Sequence, residues 1–477
     1  MQDNRNIRML KKIMLLLPLC LGTTGLMAQG ISVLDALFSA VQMYTLGYSE
    51  GGNAPLVEIA RWMAPLATAG GIVMAVRSLQ TRLSCFFTYH RGNSVAVYGD
   101  SEEKSAFLAR LDNRGMDPGD RFVKANSYVL LDNEEKNFAF YNQYRDRLAD
   151  AQVYLKCSSL SPQHAASENL HLYSPEESAA RLFWKSQSVY RISRDRNHRM
   201  DIALIGFDRL GEELLLYGLQ YNIFHPEQAI TYHVFGGDAG FLLMRPGMAR
   251  LTDQVVIHDA PWFTQLPMLE QAAMILVTQQ HDRLNLLRQL TLALPRQQFH
   301  VFAPAHCGLE LMDHQDQVQT FDWTQPATDP ENLFLDTLNL RARRLNLRYA
   351  HLYSGVEETE ANERAQWSKL DPFTRYSNIS SADYHEVQQG ILRAEGISPR
   401  YSQIPDMWKE RLSELEHIRW CRYHYLNNWS YGIPANGARK DPKARIHASL
   451  ADYQCLSESE KDKDRENIRV LFTIEED

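Results

Sequence analysis

The chain has 477 residues, 44% of them hydrophobic and 23% charged, and a net charge of −8 at neutral pH. That balance is ordinary for a protein that folds in water, with length for roughly three domains, and the acidic surplus argues against nucleic acid as a partner. Six scattered cysteines (Cys20, Cys85, Cys157, Cys307, Cys421, Cys455) form no CxxC pair, which fits reduced thiols better than a disulfide framework.

Residues 1–91 depart from this soluble character. Arg5, Arg8, Lys11 and Lys12 precede a stretch with no charged residue until Asp35. Its apolar part reads as a membrane helix over about 12–30, or as a signal peptide cleaved near Ala28. A second apolar helix, predicted over about 56–78, has no charge between Arg61 and Arg77. That core is short for a span of about 20 residues, but Glu58 and Arg61, one turn apart, can pair near the headgroups. The alternative for this segment is a buried soluble helix. Basic residues before the first segment, and Arg77, Arg82 and Arg91 after the second, place both flanks on the cytoplasmic side. The expected location is therefore the inner membrane, with the bulk of the chain cytoplasmic.

From residue 92 onward strands alternate with helices, the signature of parallel, doubly wound sheets. Two such units are expected, 92–195 and 196–335. In the second, "ALIGFDRLGEEL" puts Gly206 and Gly211 between a strand and a helix, where a dinucleotide fingerprint has its first and third glycines. Asp208 takes the middle position, where the backbone approaches the pyrophosphate, and a carboxylate there repels phosphate. A structural Rossmann-like fold with weak or absent NAD binding is the expectation. The pattern "DIALIGFDRLGEELL" and the order of the later strands resemble the TrkA-N or RCK domains of prokaryotic potassium channels and transporters, over about 92–335. The resemblance implies a fold that dimerises and passes ligand binding to a pore.

The C-terminal region, 336–477, carries motifs in a recognisable order. Glu416, His417, Arg419 and Trp420 form E-H-x-R-W; Trp429, Tyr431-Gly432 and His447 follow; Lys461 to Asn467 read K-D-K-D-R-E-N, and Arg375, Ser377 and Asn378 give R-x-S-N upstream. Together they closely resemble the RyR domain, named for its repeats in ryanodine receptors and also found in bacterial proteins. The candidate ligand-binding residues are Glu416, Arg419, Trp420, Trp429, Tyr431, Lys463, Asp464 and Arg465. An arginine beside aromatic faces suits planar anionic ligands. Equally, the tryptophans can be core residues, Glu416–Arg419 an internal ion pair, and the charge run a solvated face. His417, Cys421 and His424 share a helical face, but no fourth ligand is evident, so no metal is expected.

Between the two apolar segments, residues 32–50 form a pore-helix-like segment ending in "TLGYS". Thr45, Gly47 and Tyr48 match the T-V-G-Y-G filter of potassium channels, whereas Ser49 stands where glycine is favoured because it lacks a Cβ. The full expectation is an α/β chain: two membrane helices, two Rossmann-like doubly wound units and a mainly helical RyR-like domain. No enzyme motif is present. The function expected is a membrane-anchored, channel-like sensor of a small anionic, nucleotide-derived ligand, working as a homo-oligomer. The alternatives are a non-conducting scaffold that recruits a protein through the RyR-like surface, or an NAD-dependent enzyme.

Overall fold

The structure, a computed structural model, describes residues 2–49, 54–99, 101–160, 169–304, 307–309, 315–324, 329–435 and 437–474. It divides into two compact units, 1–97 with 113–126, and 98–112 with 127–477.

The first unit is built on the helices Gln2–Met27, Val33–Tyr44 and Pro55–Arg91. Ser32 caps the second by accepting from the Asp35 amide, one of the helix's otherwise orphaned donors. Small residues let the three helices approach closely: a Cβ on Gly25 would lie 2.8 Å from Val57 Cγ2, and one on Gly22 3.1 Å from Ala40 Cβ. Leu26, Ala36, Met43, Tyr48, Val57, Ala60 and Ala64 form their buried core. Pro55–Arg91 is the one described helix long and apolar enough to cross a membrane; the apolar part of the first helix, Leu16–Met27, is shorter. The long helix continues past residue 78 because nothing in 78–91 breaks it, and it ends at Gly92, whose φ of +83° suits glycine. Strand Val95–Tyr98 follows and pairs in parallel with Gly115–Met116. Glu50, the last residue of the pore-helix-like segment, lies outside the described residues.

In the second unit, strands Ser127–Leu130, Gln152–Lys156 and Leu170–Tyr173 run parallel to one another, with helix Glu134–Leu148 between the first two. A six-stranded, all-parallel sheet comes next, made of Arg199–Ile205, Ala229–Phe235, Gln254–His258, Met274–Val277, Phe299–Phe302 and Val318–Phe321. Numbered along the chain, its spatial order is 3-2-1-4-5-6, the Rossmann order. The two central strands, Arg199–Ile205 and Met274–Val277, send alternate side chains into apolar cores on both faces of the sheet.

The C-terminal part is helical: Leu340–Ser354, Glu360–Lys369, Pro372–Ala394, Asp406–Leu426 and Glu458–Thr473, with a small sheet of Ser430–Tyr431, Lys440–Asp441 and Ile446–His447. Tyr384, Ile391, Leu415 and Leu426 from these helices enter the same apolar core as Leu204, Leu214 and Tyr232 of the six-stranded layer. Ion pairs sealed from water reinforce this junction. Arg181 Nε lies 2.7 Å from Asp383 Oδ2, with both side chains almost fully buried. Burial opposes the charge on Asp383, yet Arg181 and Lys185 hold its carboxyl down to about 2. Arg422 reaches the buried Asp253 and donates to the Leu219 carbonyl at 3.0 Å.

Candidate functional site

The helix Asp406–Leu426 divides its signature residues between two faces. Glu416 and Arg419, one turn apart, point inward. Arg419 is 1% exposed and all three of its nitrogens donate within the protein: Nε and Nη2 to Glu416, each at 2.8 Å, and Nη1 to Ser380 Oγ at 3.0 Å. Ser381 Oγ completes the carboxylate's shell at 2.9 Å and lies 3.3 Å from Asn467 Oδ1. This network ties three helices together, and in such a dry setting its members depend on one another.

The other face is aromatic. Trp420 stacks against His417 (ring centres 5.8 Å), lies 4.1 Å from His424 and meets the edge of His447 at 4.9 Å. His417 faces an acceptor at each ring nitrogen, Asp464 at 3.2 Å and the Ala451 carbonyl at 2.8 Å, an arrangement only the imidazolium satisfies. Burial opposes that charge, but Asp464 and Cys421 outweigh it and hold the group up to about 11. His424 and His447 are the reverse case. Burial first, and neighbouring cations after it, press them down to about 3 and about 4, so both are neutral at pH 7.

The other expected residues spread out from there. Trp429 is buried and stacks on Phe373 at 5.1 Å. Tyr431, on the small sheet, is 53% exposed. Lys463 pairs with Glu460 at 2.7 Å, and Arg465 fans out to Glu410, Glu458 and Asp462. Within the K-D-K-D-R-E-N run, then, Asp464 and Asn467 point to the helical core while Lys463 and Arg465 hold surface carboxylates. Among the described residues no group of three His, Cys, Asp or Glu is arranged to hold a metal ion.

These motifs have an independent counterpart. Residues 402–474 match the RyR domain family. The RyR domain thus spans the Asp406–Leu426 helix, the small sheet and the last helix, and Arg375, Ser377 and Asn378 precede it. No curated protein and no solved structure matches the chain. Ser380, Ser381 and Asp253, which complete the RyR domain's buried polar bonds, had no local signal in the sequence.

At the Rossmann turn, Gly206 has φ +95°, and a Cβ there would sit 2.5 Å from the Gln279 amide nitrogen. Gly211 packs against the Gly206 carbonyl oxygen, which a Cβ would approach to 3.0 Å. Gly206 lets the turn pass close to the backbone leaving the neighbouring strand, and Gly211 lets the helix pack on the strand end. Asp208 Oδ1 accepts from the Gly211 amide at 3.1 Å, so the chain's own carboxylate sits at the helix N-terminus where a pyrophosphate binds in dinucleotide folds. More acid surrounds it. Burial and then Glu177 push the nearby Glu213 up to about 8.

In the first unit, Thr45 closes the Val33–Tyr44 helix, its Oγ1 donating to the Gln42 carbonyl at 3.1 Å, and Gly47 N donates to the same oxygen at 3.0 Å. Leu46 takes φ +61°, and Tyr48 folds back into the three-helix core.

Proposed function

We propose that this chain is a membrane-anchored, channel-like sensor: the RyR domain and the Rossmann-like layers take up a small nucleotide-derived ligand in the cytoplasm, and the N-terminal helices of a homo-oligomer respond. The observation that carries this reading is the continuous core and the buried Arg422–Asp253 pair, which bind the RyR domain into the six-stranded layer, while the buried Arg181–Asp383 pair ties in the preceding helix Pro372–Ala394. A ligand that favours one arrangement of the helices acts on the sheet as well, because packed cores switch between discrete states rather than deforming gradually. Support for the membrane part comes from helix Pro55–Arg91, which leaves Trp62, Leu66, Ile72, Val73, Val76 and Leu79 exposed. An apolar surface of that extent calls for a cover of lipid or of other copies. The TrkA-N/RCK likeness belongs to the same proposal.

A second reading, a non-conducting scaffold, draws on exposed Tyr431 and Ile433 beside the small sheet of the RyR domain. Reconstitution separates the two. The full chain is expected to stay with the membrane through a carbonate wash, and vesicles carrying it to change their potassium permeability when nucleoside triphosphates are added. Membrane retention with a permeability that no triphosphate or NAD alters would leave the scaffold reading in place.

A further inference from the structure

The helix Leu340–Ser354 presents Leu340, Arg343, Arg344, Leu347 and Arg348 at i, i+3, i+4, i+7 and i+8, which is one helical face. That face lines a cleft of about 790 Å³, closed opposite by Arg364, Glu360 and Glu363 of the next helix, by Glu358, and by apolar Phe334 and Ile474. Four guanidinium groups and three carboxylates thus line the cleft, and Arg343 also reaches Asp336 beside it at 3.5 Å. Arg343 lies 3.0 Å from Glu363, Arg348 3.0 Å from Glu358, and Arg364 2.5 Å from Glu360. The fourth, Arg344, is exposed and has no hydrogen bond or ion pair among the described residues. The cation without a partner is thus at the mouth of a cavity of small-ligand size.

We propose that this cleft is the ligand site, and that it takes a nucleoside phosphate. Planar guanidinium forks match phosphate oxygens two at a time, which a lysine cannot do. The Arg364–Glu360 pair is largely open to solvent, and exposed pairs of this kind are weak enough for a multiply charged oxyanion to displace. The apolar wall gives a flat ring its place. Phe334 is held in position by Tyr154 at 4.9 Å and Phe107 at 6.1 Å, and Leu347 and Ile474 continue the surface. On the opposite face of the same helix, Leu345 and Tyr349 pack on Val470 and Leu471 of the RyR domain's last helix. Occupancy of the cleft is therefore felt by the RyR domain directly. The guanidinium of Arg419, by contrast, is already committed on all three nitrogens.

This inference deepens the sensor reading, from which it takes its biological sense, but its test is binding alone. The full chain in detergent is titrated calorimetrically with ATP, GTP, CTP, UTP and tripolyphosphate. At least one nucleotide is expected to bind more tightly than tripolyphosphate. Arg344→Glu is expected to weaken that nucleotide tenfold or more, with an unchanged melting temperature without ligand, since Arg344 has no bond to lose. Arg344→Gln combined with Arg348→Gln should weaken it similarly through loss of charge without reversal. Absence of binding by every nucleotide at millimolar concentration, or unaltered affinity in both variants, overturns the site. Equal affinity for tripolyphosphate overturns the ring-binding half. A nucleotide bound in the cleft without any change in vesicle permeability refutes the sensor reading and leaves the site standing; permeability that responds to a nucleotide in both variants does the opposite.

Discussion

Arg419 and His417 lie two residues apart on one helix and show how differently neighbours can be used. Arg419 satisfies both oxygens of Glu416 and the Ser380 hydroxyl from a buried position. Arg419→Ala leaves Glu416 as a lone buried charge and should cost about 3–5 kcal/mol of stability, read by chemical denaturation of the full chain in detergent. Arg419→Lys keeps the charge but cannot bridge both carboxylate oxygens and the serine, so a smaller loss is expected. Two variants that denature like the unaltered chain would show that the pair contributes nothing to folding. For His417 the direction of pH dependence follows from its raised value. A histidine ordinarily near 6.5 and held at about 11 in the fold adds stability below about pH 6.5 and loses it progressively as pH rises toward 11. Melting temperature should fall between pH 7 and 10, and His417→Gln should flatten that slope, with Cys421→Ser as the control for the neighbouring thiol. An equal slope in the His417 variant would assign the dependence to other groups.

Elements were more legible than the bonds between them. Runs such as "MDIALIG", "AITYHVF" and "AAMILVT" are apolar and bounded by turn residues, so the sequence marks them as buried strands, and they occupy the sheet centre. Edge strand Val318–Phe321 is half polar, "VQTF", and no period separates it from a loop. The RyR motifs were readable because they are local, lying within one helix or one turn. Arg422 and Asp253 are far apart in sequence and nothing near either names the other, which is why the junction between the RyR domain and the sheet emerges only in three dimensions. The arginine face of Leu340–Ser354 did have a signal in its helical spacing, but spacing alone does not tell a cleft from a solvated face. The Rossmann turn carries its own prediction. With Asp208 capping the helix, NADH should bind the full chain weakly or not at all by calorimetry. Asp208→Gly should improve binding, at a cost in stability of a few tenths of a kcal/mol, because glycine is a tolerable cap. Micromolar affinity in the unaltered chain, abolished by Gly206→Trp, would restore the dinucleotide reading and with it redox sensing.

At the scale of the whole molecule, orientation decides whether the sensor reading is possible. Helix Pro55–Arg91 has 37 residues, about 55 Å at 1.5 Å per residue, whereas the hydrocarbon layer is about 30 Å thick. Glu58 and Arg61 pair at 3.4 Å near its start, and Arg77 is the first charge after them. On the proposed membrane reading, the 15 uncharged residues between Arg61 and Arg77, about 22 Å long, would lie in that layer with Glu58 and Arg61 near the headgroups, and the remaining turns, with Arg82, His90 and Arg91, would lie on an aqueous side. Basic residues on this flank favour the cytoplasm, and Arg5, Arg8, Lys11 and Lys12 favour it for the other end of the helical pair. A cytoplasmic location also suits the buried free thiols of Cys157 and Cys421. Two reporters fused after residue 92 test this directly. A fluorescent protein that folds only in the cytoplasm should be bright there, and a phosphatase that needs the oxidising side should be inactive. The opposite pair of results would reverse the orientation, remove the cytoplasmic nucleotide pool as the source of a ligand, and leave the reduced cysteines without their explanation.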